Sequence, residues 1–307
     1  MLLRVSKAEF NGPFSLRACM ESEQCPVDLW SPHGNKYCSF VKRGGKIIHV
    51  ALWEDEDNLF IEADTDVVDE ILYLFWAEYD LESFYSEFTK DPYIRRIIAA
   101  AKGLRVMRNL DWKWGIIEAL CTQNTSVKRV RRMESCLRRN FGDGYTFNLE
   151  KIVKAPISAL QKKCGLGYRA KYVKEISKAI LNGELDPERI GEMRTEEARE
   201  FLLKFSGIGP KVADIILLYT FGRPETFPMD IWLRRALIRE YFNGKEKSPL
   251  KLRKFALTYF GEHAGIAHLY MFYYERKIRK MDRVGLEPTA SSLQGRRHTP
   301  RPPALIP

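Results

Sequence analysis

"TEEAREFLLKFSGIGPKVADIILLYTFG", residues 195–222, reads as helix, hairpin, helix. Apolar residues recur at helical spacing on both sides of FSGIGP, which predicts a first helix ending near Phe205 and a second starting at Pro210. Gly207 and Gly209 permit a tight turn, and proline suits the first helical position, where its missing N–H is no loss. Taken alone, the stretch is an ordinary helical hairpin. Its glycines also let a nucleic-acid backbone approach, and free amides at a helix start can bind a phosphate, with a cation bridging from the hairpin carbonyls. Lys211 stands on the first turn of the second helix, where the helix dipole and any burial disfavour an ammonium and lower its pKa. A lysine so treated can act as a nucleophile, although most lysines near helix starts are solvated surface charges.

Downstream, "FGRPETFPMDIWLRRALI", residues 221–238, puts Asp230 at the start of another helix. An N-cap is one role for it. A carboxylate facing a lysine across a pocket can also stabilise a developing sugar cation and help activate the amine.

The hairpin, the lysine, the Gly/Pro-rich connector and the aspartate together resemble the helix-hairpin-helix (HhH-GPD) DNA glycosylase superfamily. The resemblance implies that Gly207, Ile208 and Gly209 anchor a DNA backbone, with room for a structural cation, and that Asp230 serves catalysis. A lysine at the position of Lys211 is similar to that of the bifunctional members, which cleave both base and backbone. "ALCTQNTSVKRVRRM" (119–133) and "CGLGYRAKYV" (164–173) resemble segments of the 8-oxoguanine DNA glycosylase/AP lyase branch that read the cytosine opposite the lesion. That assigns such reading to Asn124, Arg129 and Arg169, amide and guanidinium donors suited to the O2 and N3 acceptors of an unpaired cytosine. On their own, the arginines read as helix-surface charges and the asparagine as a cap.

The base pocket departs from that branch. Where eukaryotic-type enzymes carry cysteine, histidine, glutamine and phenylalanine, this chain has Ile215, Trp232, His268 and Phe272. His268 and Phe272 share a helix face, which suits one polar and one stacking contact to a flipped base. The glycine-containing loop of the first domain is replaced by "SLRACMESEQCPV", residues 15–27.

Away from the hairpin, "FSLRACM", "KYCSFVK", "KIIHVALWE" and "LFIEAD" alternate in strand fashion between turns such as "SPHGN" and "RGGK". After Asp64 the period becomes helical and stays so to "GIAHLYMFYYERKIRK". The expected fold is α+β and mainly α: a small antiparallel sheet domain with a flanking helix over 1–95, then a helical catalytic body over 96–280. Residues 281–307 hold five of the fifteen prolines and no period, so disorder is expected. This tail resembles the peptide made when a reading frame runs across a neighbouring transfer-RNA gene.

The net charge of +10, from 50 Lys+Arg against 40 Asp+Glu, favours polyanionic partners. No apolar run approaches a membrane span, and "MLLRVSKAEF" is broken by charge too early for a secretory signal. The cysteines (19, 25, 38, 121, 136 and 164) contain no CxxC pair and read as free thiols. With none after Cys164, no iron-sulfur cluster is expected, nor any catalytic metal or other cofactor.

The reading is therefore a monomeric enzyme acting on double-stranded DNA with a damaged base, 8-oxoguanine opposite cytosine, and making no use of a membrane. Its place is with chromosomal DNA, in the cytoplasm of a prokaryote or the nucleus of a eukaryote. The rivals are a monofunctional alkylpurine glycosylase, against which Lys211 speaks, and a non-catalytic hairpin DNA-binding module, which has no use for Lys211 and Asp230.

Overall fold

A computed structural model describes residues 1–24 and 30–279 of the chain. The tail expected to be disordered, and Cys25, lie outside the described residues. Strands β1 (Leu2–Ser6), β2 (Ser31–His33), β3 (Lys36–Arg43), β4 (Lys46–Glu54) and β5 (Asn58–Ala63) form an antiparallel sheet in the order β1-β5-β4-β3-β2. Alternation sets its buried face: Ile48, Val50 and Leu52 on β4 and Leu59, Ile61 and Ala63 on β5 point into the core. Gly44 and Gly45, both at positive φ, close the β3–β4 hairpin in the left-handed turn that matches strand twist.

One expected strand is a helix. "FSLRACM" folds as α1 (Leu16–Glu21), capped by the Ser15 side chain accepting from the Ala18 amide. Its buried Leu16, Cys19 and Met20 follow helical spacing, and a run this short satisfies either period until packing chooses. Two strands were not marked by the sequence. β1 pairs with β5, and β2, drawn from the expected turn "SPHGN", is a fully exposed edge strand that tolerates Pro32.

The helical part runs through α2 (Val68–Leu74), α3 (Leu81–Glu87), α4 (Pro92–Ala100), α5 (Trp112–Cys121), α6 (Val127–Phe141), α7 (Leu149–Lys154) and α8 (Arg169–Leu181). It continues with α9 (Pro187–Glu192), α10 (Thr195–Leu202), α11 (Pro210–Tyr219), α12 (Ile231–Tyr241), α13 (Pro249–Phe260) and α14 (Ala264–Tyr273). Buried side chains from Val5 to Tyr274 form one continuous core. Helix α11 passes through it with every residue from Val212 to Tyr219 buried, so Pro210 and Lys211 at its start are the part left accessible. Below that turn, Asp214 accepts from Arg199 Nε (3.0 Å) and from Arg253 Nε and Nη2 (3.3 Å each). This buried carboxylate ties α10 and α13 to α11 and fixes the angle of the hairpin.

The expectation of free thiols fails at two positions: Cys136 on α6 and Cys164 ahead of α8 form a disulfide. Cys19, Cys38 and Cys121 are free. The folding back of α6 and the following turns brings two cysteines 28 residues apart to a Cα separation of 5.1 Å, a juxtaposition that spacing along the chain does not announce. Closing a loop of 28 residues is worth roughly 3.5 kcal/mol of unfolded-state entropy, so a paired Cys136→Ser, Cys164→Ser variant is expected to unfold at clearly lower denaturant. An unchanged urea midpoint, with and without reductant, would show that the bridge contributes nothing.

Candidate active site

One cavity of about 740 Å³ opens where α11, α12 and α14 converge with the turn before α6. Lys211 and Ile215, one helical turn apart on α11, line it together with Asp230 and Trp232 from the start of α12. His268 and Phe272 from α14 and Asn124 from the turn line it as well, whereas Arg129 and Arg169 do not. Asp230 caps α12: its Oδ1 accepts from the amides of Trp232 (2.8 Å) and Leu233 (2.9 Å). Oδ2 takes no hydrogen bond among the described residues, so half of the carboxylate remains for other work. The two roles weighed for this aspartate are thus compatible.

His268 is buried, its Nδ1 has no hydrogen-bond partner among the described residues, and its ring stacks on Phe272 at 6.0 Å. Burial, with a smaller push from the Lys211 charge, lowers its pKa from 6.5 to about 3, so the imidazole is neutral. A folded pKa below the unfolded one means that the unfolded chain binds the proton first. This contribution to stability is therefore fully present above about pH 6.5 and is lost as pH falls towards 3. His268→Phe is expected to flatten the acid limb of stability over that window, measured as thermal midpoint against pH. An identical limb in the variant would assign the acid sensitivity to other groups.

Beside the cavity, the α10–α11 hairpin forms an open groove with Gln123, Asn124 and Tyr172. Gln123 Nε2 donates to the Gly207 carbonyl at 3.0 Å, docking the hairpin on the turn before α6. The two glycines differ. Gly207 has φ 89°, and a Cβ there would lie 2.3 Å from Tyr172 Cγ. Gly209 has an ordinary φ of −89° as the N-cap of α11, and a Cβ there would meet nothing within 4 Å. Gly207→Ala should therefore cost about 1–3 kcal/mol of stability, whereas Gly209→Ala should stay within about 0.5 kcal/mol. Equal urea midpoints for the two variants would contradict this division. The hairpin carbonyls of Phe205, Gly207 and Gly209, which a cation there would meet, each already accept one hydrogen bond, leaving their second lone pairs.

The profile of the HhH-GPD superfamily base excision DNA repair protein matches residues 117–261, the span that carries the hairpin, Lys211 and Asp230. A probable N-glycosylase/DNA lyase of Methanothermobacter thermautotrophicus is 33% identical over 303 residues, covering 90% of each chain. This chain belongs to the HhH-GPD superfamily of base excision DNA repair proteins. Among solved structures of similar shape, MBOgg1 in complex with a low affinity DNA ligand has a TM-score of 0.80 at 27% identity, covering 91% of this chain and 96% of that one. The 8-oxoguanine glycosylase/lyase of Clostridium acetobutylicum, bound to DNA with cytosine opposite 8-oxoguanine, has a TM-score of 0.77 at 25% identity, with coverage of 87% and 93%.

Of the opposite-base readers expected from the HhH-GPD resemblance, Arg129 is exposed near the start of α6, beside exposed Lys128, Arg131 and Arg132. Asn124 is exposed at φ 41° and donates to Tyr168 Oη at 3.4 Å. Arg169 differs: it is buried, and its guanidinium donates to the carbonyls of Gln123, Leu166 and Asn124. Those bonds tie the Arg169 guanidinium to the turn that presents Asn124. Tyr168, 48% exposed and lying over that guanidinium, escaped the sequence reading because a lone tyrosine in a glycine turn carries no pattern. Glu23, Gln24 and Arg276 also line the cavity and were missed, since nothing local links residue 23 to the end of the helical body.

Proposed function

We propose that this HhH-GPD protein is a bifunctional DNA N-glycosylase/AP lyase of base excision repair, acting as a monomer on double-stranded DNA. The observation that carries the reading is one cavity, within the roughly 300–1,000 Å³ of small-molecule pockets, with an amine and a half-free carboxylate on its wall. A damaged purine, 8-oxoguanine opposite cytosine, flips out of the duplex and stacks on Phe272, with the neutral His268 ring behind it. The amine of Lys211 attacks C1′ of the sugar through its nitrogen lone pair, and Asp230 Oδ2 supports the positive charge that develops there. The base leaves with the glycosidic electron pair, the amine loses its proton, and the ring-opened sugar is held as a Schiff base. Loss of a C2′ proton then expels the 3′ phosphate by β-elimination.

The hairpin residues Gly207, Ile208 and Gly209 hold the DNA backbone, with a cation completing the contact, while Arg129 and Asn124 meet the opposite cytosine. The open space over Gly209 supports such an approach. The chemistry runs on the chain's own groups, and its place is with chromosomal DNA, in a prokaryotic cytoplasm or a eukaryotic nucleus.

A panel of single-lesion duplexes, scored separately for base release and strand cleavage, tests the reading. Release of 8-oxoguanine opposite cytosine with accompanying cleavage is expected. Release without cleavage would make the enzyme monofunctional, and binding without either would leave a DNA-binding module.

A further inference from the structure

Among the described residues Glu23, Trp76, Asn124 and Asn243 hold a positive φ without being glycine. Asparagine adopts that region readily, whereas glutamate does not. Glu23, at φ 59°, shares the cavity with Asn124 and Lys211. It falls in the segment where the sequence lacks the glycine-containing loop expected of its relatives.

The surroundings enforce this conformation from both sides. Ser22 Oγ donates to the Cys19 carbonyl at the end of α1 (2.5 Å), and buried Gln24 donates to Ser22 Oγ and to the Arg105 carbonyl (2.9 Å each). Gln24 Oε1 also accepts from the Met107 amide at 2.7 Å. Strain of this kind persists where its surroundings over-determine it, and it concentrates at functional sites.

The Glu23 carboxylate is pinned as well. Oε2 lies 2.9 Å from Arg276 Nη2 and Oε1 2.8 Å from Lys277 Nζ, one ion pair to each oxygen. The Arg276 guanidinium lies 4.9 Å over the Phe272 ring, and Phe272 stacks on His268. A negative charge is thus fixed beside the aromatic wall against which a flipped base would lie.

We propose that the Glu23 carboxylate reads the edge of the flipped base, accepting from the adjacent N1–H and N2–H donors of a guanine-derived purine. Each carboxylate oxygen has two lone pairs, and each oxygen is approached by one cation. The remaining pair matches two parallel N–H donors, as in bidentate pairing with arginine. An adenine-derived base presents the lone pair of N1 at that place and is repelled. The inference rests on the base-excision reading above and adds to it the residue that selects the purine. The rival role for Glu23 is a plain ion-pair clasp between the chain after α1 and the turn after α14.

Single-turnover base release from duplexes carrying 8-oxoguanine or 8-oxoinosine, which lacks only the 2-amino group, separates the two. The wild type is expected to prefer 8-oxoguanine by about 5- to 100-fold, the scale of one bidentate base contact. Glu23→Gly suits the backbone and keeps the fold, and its preference is expected to shrink to within about twofold through slower release of 8-oxoguanine. Glu23→Gln, with one acceptor oxygen left, should fall between. Lys277→Ala breaks one arm of the clasp while Arg276 still holds the carboxylate, and the preference should survive. A preference retained in Glu23→Gly, or lost equally in Lys277→Ala, makes Glu23 a clasp and overturns the inference alone. A wild type that releases neither base refutes the base-excision reading and this inference with it.

Discussion

Borohydride added during turnover on a duplex carrying 8-oxoguanine is expected to trap a covalent adduct with the wild-type chain and none with Lys211→Gln. Reduction fixes a Schiff base, and glutamine has no nucleophilic amine to form one. Base release should fall by roughly 10⁴-fold or more, the scale on which removal of a nucleophile acts. DNA affinity should change little, because Lys211 is one of 50 Lys and Arg residues and phosphate contacts carry most of that affinity. The fold should also be kept, since Lys211 makes no ion pair among the described residues and the buried part of α11 begins at Val212. Equilibrium binding and thermal midpoint are the controls. A trapped adduct of undiminished yield in Lys211→Gln would move the nucleophile elsewhere.

Asp230→Asn is expected to slow base release by about 10²- to 10³-fold, the cost of losing one well-placed charge at a developing cation. The substitution divides the residue's two tasks. The side-chain oxygen of asparagine accepts from the amides of Trp232 and Leu233 as the aspartate does, so the cap of α12 and the thermal midpoint should survive. What disappears is the negative charge shared by Oδ2, which takes no hydrogen bond among the described residues. Full activity in this variant would reduce Asp230 to a cap. A midpoint that falls with the rate would assign the loss to folding.

Local patterns located the candidate residues Lys211 and Asp230 on their elements, because each sits where local rules apply. Helical spacing and Pro210 start α11, placing Lys211 at its accessible start, and Asp230 caps the helix it begins. One-turn spacing put Ile215 beside Lys211 and Phe272 beside His268, and strands β3, β4 and β5 were legible to within one residue at either end. Local rules ran out where a run was short or a partner distant. Two periods fit the six residues of α1, and only burial of Leu16, Cys19 and Met20 against the core selects the helix. Arg169 looks like a surface charge until the turn at Gln123 folds over it, and Cys136 finds Cys164 only after α6 and α7 double back. The meeting of Glu23 with Arg276 and Lys277 is likewise a product of packing, since no spacing along a chain relates residues from opposite ends of a fold. The sequence by itself determined which groups are offered at helix starts and on helix faces. Long-range packing decided which of them share one cavity, because burial couples residues by distance in space and is blind to their separation along the chain.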